Sequence, residues 1–446
     1  MNTPPEAGPV VSGAYDRDLT AFVGYWRESR RRLDVLPAKS RRDAEQAETA
    51  SGLLAAARTS RERFLKAHGG ALYDRLTRGR THFLRINALL EGAVAAAPGL
   101  VPDAETLRDE NARNQSEKDG HEVDQGLFLH QMLADPVSGE HLCHAMLLPR
   151  AESRELLPKF LRDGRIDLDG TIVERRDRKA IVTMSNPRFL NAEDASNLDA
   201  NEIATDLCLL DPETAICILR GDHVAHPKYA GRRIFNAGIN LTHLYQGKVN
   251  YEWFPRRELG FVAKILRGIA KLNVSPDEVL GDTIEKPWIA QVDAFAIGGG
   301  CQILLACDYT IAAADAYLTL PARKEGIIPG FANLRLPRFV GDRLARQAIQ
   351  YERRIECDSD AGRLICDEIV APDATEAAAE AVADRFLASG QVGALANRRA
   401  LRIGQEPFDL TRRYAAYYAK AQAECHFSPQ LIENLERYWD ARNRKG

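Results

Sequence analysis

The sequence predicts an α/β fold, with a helical domain before it and further helices after it. Short apolar runs alternate with helix-like segments between residues 166 and 394, as expected for a sheet buried between helices. Residues 1–165 and 395–446 instead carry apolar side chains at helical spacing among many charged ones. We therefore expect three regions: a helical N-terminal domain (1–165), an α/β core (166–394) and a C-terminal helical region (395–446).

The N-terminal domain contains one predicted helix start and one basic cluster. Thr59-Ser60-Arg61-Glu62 has the Thr-x-x-Glu spacing of a capping box, which predicts that a helix begins there. Arg30-Arg31-Arg32 could contact nucleic acid, but the acidic neighbours Glu28 and Asp34 favour a solvated helix face.

The elements of the α/β core are predicted from apolar runs and their boundaries. Residues 215–219 form a continuous apolar run between Pro212 and Gly221, which is typical of a buried strand. Similar patterns predict strands at 171–174, 179–184, 288–297, 309–313 and 317–321, and helices at 192–210, 259–272 and 303–307.

Composition and charge argue against several classes of protein. Of 446 residues, 45% are hydrophobic and 28% are charged, and the net charge of −3 gives no general attraction to nucleic acid or membranes. No apolar run reaches the roughly 18–20 residues that span a bilayer, and the N-terminus lacks a signal-peptide pattern. The eight cysteines include no C-x-x-C pair and are expected to be free, buried thiols. These features predict a cytoplasmic protein without nucleic-acid or membrane partners.

A run of three glycines carries the strongest functional signal. Gly298-Gly299-Gly300 lies between the apolar run 288–297 and the helix-like segment 303–307. Backbone N–H groups at such a helix start have no partner within the helix and can bind an anion. The run is neither G-x-G-x-x-G nor a P-loop, so no dinucleotide or nucleotide-phosphate site is predicted. A second strand-to-turn segment, 234–241, could expose another N–H group at Ala237-Gly238.

These two segments resemble the enoyl-CoA hydratase/isomerase (crotonase) family. Residues 235–241 match its F-x-A-G-x-x-L pattern, and residues 298–302 match its G-G-G-C-E turn except at the last position. Cys307-Asp308, Pro321 and residues 326–330 then supply the next landmarks in order. The resemblance implies a crotonase-like α/β core of repeated ββα units.

The resemblance also implies an oxyanion hole for the thioester oxygen of an acyl-CoA. Its two donors would be the N–H groups of Ile239 and Gly299. The residues that would border the thioester substrate next to these donors are Ala237, Gly238, Asn240 and Gly298.

Two departures from the family pattern argue against hydration. The glutamate that follows G-G-G-C in hydratases is Gln302 here, and the glutamate that follows the landmark proline is Ala322. A hydratase needs both carboxylates to activate water and to move protons. An amide and a methyl group can do neither.

Within the family, the long helical N-terminal region, Gln302 and the segment His226-Pro227-Lys228-Tyr229 resemble one branch. That branch comprises the 3,5-dihydroxyphenylacetyl-CoA 1,2-dioxygenases of glycopeptide-antibiotic biosynthesis. The resemblance implies an arylacetyl-CoA and O2 as substrates, 3,5-dihydroxyphenylglyoxylate and free CoA as products, and neither metal nor organic cofactor. It also implies a homo-oligomer, a trimer or a dimer of trimers, with the C-terminal helices as an oligomerisation region.

The same resemblance indicates two polar residues near the substrate ring. Glu193 and Arg257 match positions that, with Gln302, would bind the ring hydroxyls or steady developing charge. Arg256 competes with Arg257 for this role. The alternatives are a helix-start acid and a surface arginine without a function.

Four residues outside the two turns are also candidates for substrate contacts. His226 could move a proton or bind substrate together with Tyr229, and Arg188 and Lys228 would suit the phosphates of CoA as cations. For His226, Arg188 and Lys228, an ordinary solvated side chain remains an equal alternative.

Two histidine pairs, His141/His144 and His223/His226, raise the possibility of a metal site. A facial-triad iron site would need two histidines and a carboxylate around one ion. No H-x-[DE] motif occurs in the chain, so no metal site is predicted.

Two other functions remain open on the same scaffold. Isomerisation or thioester hydrolysis would need the oxyanion hole but not O2. A degenerate acyl-CoA-binding or scaffold subunit would fit the loss of both hydratase glutamates, but the intact glycine turns argue against it because a scaffold has no need of open N–H donors.

Overall fold

The computed structural model of the protein describes residues 8–229 and 231–444. They fall into two compact units, the first made of residues 8–146, 242–255 and 412–444 and the second of residues 147–229, 231–241 and 256–411. These boundaries differ from the predicted ones at 165/166 and 394/395. The helix Ala151–Asp163 belongs to the sheet-containing unit because it packs against the helix Leu198–Leu210.

The first unit is helical, as predicted for the N-terminal part of the chain. Its aromatic core includes Phe22, Trp26 and Phe64, whose ring centroids lie 5.4–5.9 Å apart. The helices that lie wholly or mainly in this unit are Tyr15–Asp34, Ala44–Leu76, Ile86–Ala96, Ala104–Asn111, Val123–Ala134, Pro136–Leu147, Leu241–Tyr245, Trp253–Arg256, Phe408–His426 and Pro429–Trp439.

C-terminal residues complete this helical unit. The ring Nδ1 of His130 lies 2.7 Å from the carbonyl oxygen of Ala416, and Gly126 lies against Ala423 so closely that a Cβ on Gly126 would lie 2.4 Å from the Ala423 methyl carbon. The predicted separation of a C-terminal region from the N-terminal domain is therefore not seen for residues 412–444.

Two local predictions for this unit have opposite outcomes. The helix start at Thr59 is wrong, because the helix Ala44–Leu76 runs through it and begins at a capping box formed by Asp43 and Gln46. The solvated basic face is confirmed: Arg30 pairs with Asp34 at 2.7 Å and Arg31 with Glu28 at 2.9 Å.

The second unit is built on a seven-stranded mixed sheet. The strands of the whole unit are β1 (Arg165–Asp167), β2 (Thr171–Arg176), β3 (Lys179–Met184), β4 (Ile216–Gly221), β5 (Ile269–Ala270), β6 (Thr283–Ile284), β7 (Trp288–Val292), β8 (Phe295–Ile297), β9 (Tyr309–Ala313), β10 (Tyr317–Thr319), β11 (Ile355–Glu356) and β12 (Glu368–Val370). The order in the large sheet is β1-β2-β3-β4-β7-β9-β12, antiparallel from β1 to β3 and parallel from there on. A small sheet has the order β11-β10-β8, and β5 pairs with β6.

The predicted ββα repeat is confirmed in the second half of this unit. β7 and β8 precede the helix Gly299–Leu304, while β9 and β10 precede the helices Ala322–Glu325 and Ala332–Tyr351. In each repeat the first strand joins the large sheet and the second joins the small one. Because β8 belongs to the small sheet, the glycine turn that follows it lies outside the large sheet.

Side chains alternate between the two faces of the large sheet. Ile181, Ile218, Ile289 and Ile311 pack towards the helix Thr375–Leu387, which covers one face. Their neighbours in the strands, such as Val182, Leu219, Ala290 and Ala312, belong to the main core on the other face. Both faces are buried, which explains the continuous apolar runs of the sequence.

Several predicted boundaries are wrong for local reasons. The helix expected at 192–210 begins at Leu198, because residues before it bridge to another segment. The helix expected at 259–272 ends at Arg267, where Gly268 has a φ of 79°. The strand expected at 288–297 is divided into β7 and β8, and the helix expected at 303–307 begins earlier, at Gly299.

All eight cysteines are free thiols, as predicted, and six of them are buried. Within residues 8–229 and 231–444, no helix is both long and apolar enough to cross a membrane.

Candidate active site

The two glycine-containing turns predicted from the sequence lie side by side. Asn236 forms a parallel bridge with Ala296 of β8, and the Ile297 N–H donates to the Asn236 carbonyl at 3.0 Å. Gly238 has a φ of 81°, and a Cβ there would lie 2.8 Å from the Ile297 carbonyl oxygen and 3.1 Å from the Gly299 nitrogen. Only glycine combines this conformation with so close an approach.

The two predicted donors are open. Among the described residues, neither the Ile239 N–H nor the Gly299 N–H has a hydrogen-bond acceptor. Gly299 is the first residue of its helix, where an N–H has no acceptor within the helix. Two free N–H groups on adjoining turns can stabilise an oxygen that gains negative charge.

The Ile239 turn is held in place by the segment that carries Glu193. The Glu193 N–H donates to the Gly238 carbonyl at 2.7 Å, and the Asn240 N–H donates to the Glu193 carbonyl at 2.8 Å. The Asn240 side chain donates to Asp194 at 2.9 Å. The structure thus places Asn240 as a support of the turn, while its predicted contact with substrate stays a prediction.

Arg257 lies at the centre of a buried polar cluster next to the Gly299 turn. Its Nε and Nη2 donate to the two carboxylate oxygens of Glu193 at 2.9 and 2.8 Å. Nη2 also donates to the Gly299 carbonyl at 2.8 Å, and Nη1 donates to Gln302 Oε1 at 3.0 Å. The exposed fraction is 2% for the Arg257 side chain and 1% for that of Glu193. The structure therefore brings the three predicted polar residues together directly behind the turn.

Glu258 is a member of this cluster that the sequence did not indicate. Its Oε1 accepts a hydrogen bond from Arg257 Nη1, and its Oε2 is buried with no hydrogen-bond partner in the described structure. The cluster thus contains two carboxylates and one guanidinium. The signal that could have found Glu258 is its position directly after Arg257 in the sequence.

A π-helix explains which arginine enters the cluster. Residues Arg257–Val262 form a π-helical segment between the α-helices Trp253–Arg256 and Ala263–Arg267. Arg257 is buried, whereas Arg256 is partly exposed and pairs with Asp199 at 2.6 Å. The geometry therefore selects Arg257 over Arg256. Single π turns inside α-helices recur at functional sites because the extra residue redirects the side chains before it.

Glu325 is a second polar residue that the sequence did not indicate. A Cβ on Gly298 would lie 3.8 and 3.9 Å from its two carboxylate oxygens. The structure records no hydrogen bond or ion pair for this carboxylate among the described residues. Burial raises the pKa of Glu325 to about 7. Its position directly before Gly326, between two family landmarks, was the available signal.

Apolar side chains border the two turns on another side. Leu190, Tyr229, Ala237 and Ile297 pack around a small core that includes Phe295. Tyr229 lies edge-on to Phe295 with ring centroids 5.4 Å apart. The structure thus places Tyr229 and Ala237 beside the turns, while their predicted contact with substrate stays a prediction.

The other predicted substrate contacts are exposed and lie outside the polar cluster. Arg188 stacks over Phe189 at 5.2 Å, and Lys228 over Tyr229 at 5.1 Å. The Nδ1 atom of His226 accepts a hydrogen bond from the Lys228 N–H at 3.3 Å. The structure brings none of these three into hydrogen-bonding contact with Arg257, and their roles stay predictions.

The histidine pairs have other contacts. His141 lies 2.8 Å from the Tyr73 hydroxyl and stacks on Phe83, and His223 forms an isolated bridge with Arg233.

Within the part of the chain that the structure describes, a different group of possible metal ligands comes together: Glu110, Asp119 and His121. Glu110 accepts three backbone N–H bonds from residues 119–121, and Asp119 pairs with Arg42. This group therefore holds a loop of the helical unit.

Comparisons with known proteins identify the family of the chain. The family model for enoyl-CoA hydratase/isomerase matches residues 180–416. The chain is 47% identical over 392 residues, 88% of its length and 89% of the relative's, to (3,5-dihydroxyphenyl)acetyl-CoA 1,2-dioxygenase of Amycolatopsis orientalis. It is 26% identical, over 63% of its length and 98% of the relative's, to short-chain-enoyl-CoA hydratase of Clostridium acetobutylicum.

A solved structure of an enoyl-CoA hydratase from Mycobacterium avium subsp. paratuberculosis K-10 covers 63% of this chain and 99% of its own, with 21% identity and a TM-score of 0.49. The family model covers more than half of the present chain, and the Amycolatopsis relative covers most of it. The chain belongs to the enoyl-CoA hydratase/isomerase (crotonase) family.

Proposed function

We propose that the protein is a 3,5-dihydroxyphenylacetyl-CoA 1,2-dioxygenase that uses neither a metal nor an organic cofactor. The observation that carries this proposal is the 47% identity over 88% of the chain to a relative of that name. The reaction joins one acyl-CoA and one O2 and gives 3,5-dihydroxyphenylglyoxylate and free CoA. The proposed role in antibiotic biosynthesis rests on the same resemblance.

The open N–H groups of Ile239 and Gly299 support an enolate mechanism. The α-carbon of the substrate lies between an aryl ring and a thioester, so its C–H bond is acidic. Loss of that proton places negative charge on the thioester oxygen, where the two donors stabilise it. One such donor typically contributes about 3–4 kcal/mol to the transition state.

The enolate then supplies the electrons for O2 reduction. It passes one electron to O2, and the ring delocalises the resulting carbon radical. Recombination forms a C–O bond and gives an α-peroxide anion, whose outer oxygen attacks the thioester carbonyl and expels CoA as the thiolate. Loss of the remaining α-proton then breaks the O–O bond, which leaves one oxygen in the keto group and the other in the carboxylate. The protein's part is to orient the ring and to hold the enolate away from water.

The cluster around Arg257 suits the aryl end of this substrate. In the proposed complex, Gln302, Glu193 and Glu258 provide hydrogen-bond acceptors for the two phenolic hydroxyls, and Arg257 fixes their positions. The Gln302 oxygen accepts a hydrogen bond from Arg257, and its amide, unlike the glutamate that hydratases have at this position, cannot take a proton from water. Arg188 and Lys228 are exposed cations that would reach the phosphates of CoA.

The proposed assembly is a homotrimer or a dimer of trimers. Apolar side chains are exposed on the second unit around the helix Gln391–Gln405, namely Val279, Leu280, Val392, Leu401 and Ile403. An exposed apolar patch of this kind supports an interface between copies of the chain.

Oxygen labelling tests the proposed reaction. Metal-free protein is incubated with 3,5-dihydroxyphenylacetyl-CoA and 18O2, and O2 uptake, CoA release and label in the acid are followed. We expect CoA release to match O2 uptake and both atoms of O2 to enter the keto acid. An intact thioester without O2 uptake would contradict the proposal, and CoA release without label would indicate a hydrolase instead.

A further inference from the structure

Glu325 has the properties of a proton acceptor at the glycine turn. Its carboxylate oxygens lie 3.8 and 3.9 Å from the Cβ position of Gly298, the residue directly before the donor Gly299. The structure gives this carboxylate no hydrogen bond and no ion pair among the described residues. A half-buried carboxylate without a partner keeps its lone pairs available for a proton.

The short helix Ala322–Glu325 relates this carboxylate to a position that is catalytic in the family. Ala322 stands where hydratases have their second glutamate. Glu325 lies three residues further on, and residues three apart share one face of a helix. The carboxylate of Glu325 therefore lies on the same face of this helix as the methyl group of Ala322.

We infer that Glu325 accepts the α-proton of the acyl-CoA, an inference that rests on the proposed function and deepens it. The C–H bond at the α-carbon breaks, and its electron pair moves into the enolate held by Ile239 and Gly299. An O–H bond forms on Glu325. The negative charge thus moves from the Glu325 carboxylate to the enolate oxygen, and no redox partner takes part in this step.

The other acidic groups near the turn are less suited to this role. The Cβ direction of Gly299 points to Glu193 Oε2 and Arg257 Nη2, whereas that of Gly298 points to Glu325. Glu193 is bound through both oxygens to Arg257, and Glu258 through one. A carboxylate oxygen that already accepts a hydrogen bond from a guanidinium has fewer lone pairs free for a substrate proton.

The charges on the elements around Glu325 do not pair with it. Arg323 and Lys324, on its own helix, are turned to Glu352 at 3.0 and 3.8 Å. On the side of the turn, Arg257, Glu193 and Glu258 bind one another and Gln302. Burial raises the pKa of Glu325 to about 7, where a general base works best near neutral pH.

Hydrogen exchange at the α-carbon measures this step without O2. The full-length protein and 3,5-dihydroxyphenylacetyl-CoA are mixed in D2O under anaerobic conditions, and deuterium in the recovered thioester is followed by mass spectrometry. We expect Glu325→Gln to lower the exchange rate at least 100-fold, because a general base contributes about 10²–10⁴-fold. Binding of the same thioester, measured anaerobically by calorimetry, should change less than threefold.

A pH series adds a readout that a merely structural role would not move. Wild-type exchange should rise about tenfold per pH unit below pH 7 and level off above it, since only the ionised carboxylate accepts a proton. Glu325→Asp should keep such a limb at a lower rate, and Glu325→Gln should lose it. Arg323→Gln, an exposed change on the same helix, should behave as wild type.

Each outcome decides one of the two proposals. Exchange within threefold of wild type and with an unchanged pH profile in a folded Glu325→Gln protein overturns the role of Glu325, while O2 uptake by wild type still supports the dioxygenase. Conversely, wild-type exchange without O2 uptake overturns the dioxygenase and leaves the proton transfer standing. If Glu325→Gln fails to fold, Glu325→Asp is measured instead. A lower exchange rate with the pH-dependent limb retained supports the role of Glu325, and an unchanged exchange rate contradicts it.

Discussion

Two carboxylates of the sheet-containing unit, the buried Glu406 and the half-buried Glu325, have opposite surroundings. Arg335 binds both oxygens of Glu406 at 3.0 Å, and Arg338 adds a third ion pair at 3.1 Å. Although burial opposes it, Arg335 and its neighbours lower the pKa of Glu406 to about 2. Glu325 has no such partner, and burial raises its pKa to about 7. The difference shows that guanidinium partners, rather than burial, decide whether a carboxylate is fixed as an anion or can exchange a proton.

The cluster around Arg257 lies between these extremes. Like Glu406, Glu193 is bound through both oxygens by one arginine. Unlike Glu406, the cluster has two carboxylates for one guanidinium, and Glu258 Oε2 has no partner among the described residues. A structural network has its acceptors filled, whereas a binding site keeps some of them open for a ligand.

The largest effect is expected from removal of the Glu406 charge. Glu406→Gln should destabilise the protein by about 3–5 kcal/mol at pH 7, because Arg335 would be left buried without its anion. Since the folded pKa lies below the unfolded value near 4.5, this contribution is present above pH 4.5 and is lost as the pH falls towards 2. Urea unfolding of both proteins at pH 7 and pH 3 measures it, and the difference between them should shrink at pH 3.

Asp342→Asn is the matched control for that change. It removes the anion of the exposed pair Arg346–Asp342, whose side chains are 66% and 68% exposed. Its effect should stay below about 1 kcal/mol. Equal losses of unfolding free energy for Glu406→Gln and Asp342→Asn would contradict the larger contribution expected of the buried ion pairs.

A somewhat smaller effect is expected from Arg257→Ala, seen mainly in activity. Loss of the guanidinium leaves Glu193 and Glu258 buried with like charges and frees Gln302, so kcat/KM should fall about 100- to 1,000-fold, or about 3–4 kcal/mol. Arg256→Ala is the control, because Arg256 pairs with the half-exposed Asp199. Steady-state O2 uptake measures both, and equal mild effects would remove Arg257 from the site.

The smallest effect is a gain in stability at high pH from Glu325→Gln. The folded pKa of Glu325 is raised, so wild-type stability from this group is fully present below pH 4.5 and is lost as the pH rises through about 7. The uncharged amide avoids that loss. Thermal unfolding should show the variant about 1–2 kcal/mol more stable at pH 8.5 and equal to wild type near pH 4.5. A variant that is less stable at pH 8.5 would contradict the unpartnered state of Glu325.

The strand-to-helix turns could be predicted because their signals are local. Three glycines between an apolar run and a helix mark one turn and Ala237-Gly238 marks the other, and the family resemblance then indicates Gly299 and Ile239 as the donors. The partners of Arg257 depend on where a π-helical segment lies, which no periodicity reveals, so the sequence left Arg256 and Arg257 as alternatives. Glu325 was overlooked because a four-residue helix gives no pattern, and its approach to Gly298 is made by the fold.

The domain boundaries could not be predicted from the sequence, for a different reason. Helices with similar charged and apolar patterns can pack in either unit, and only tertiary contacts assign the helix Ala151–Asp163 to the sheet and residues 412–444 to the N-terminal helices. The start of the helix Ala44–Leu76 was misplaced because two capping-box patterns occur along it, one from Asp43 to Gln46 and one from Thr59 to Glu62. Capping patterns mark possible starts, and packing decides between them.

The direction of the Arg257 side chain depends on the number of residues in the π-helical segment Arg257–Val262. A π turn holds one more residue than the α turn that it replaces, and one residue turns an α-helix by about 100°. Deleting one codon among residues 259–262 would therefore rotate Arg257 away from Glu193 while every residue of the cluster is kept. Insertion or deletion of one residue is thus a change that can redirect a buried side chain while the sequence motifs around it remain intact.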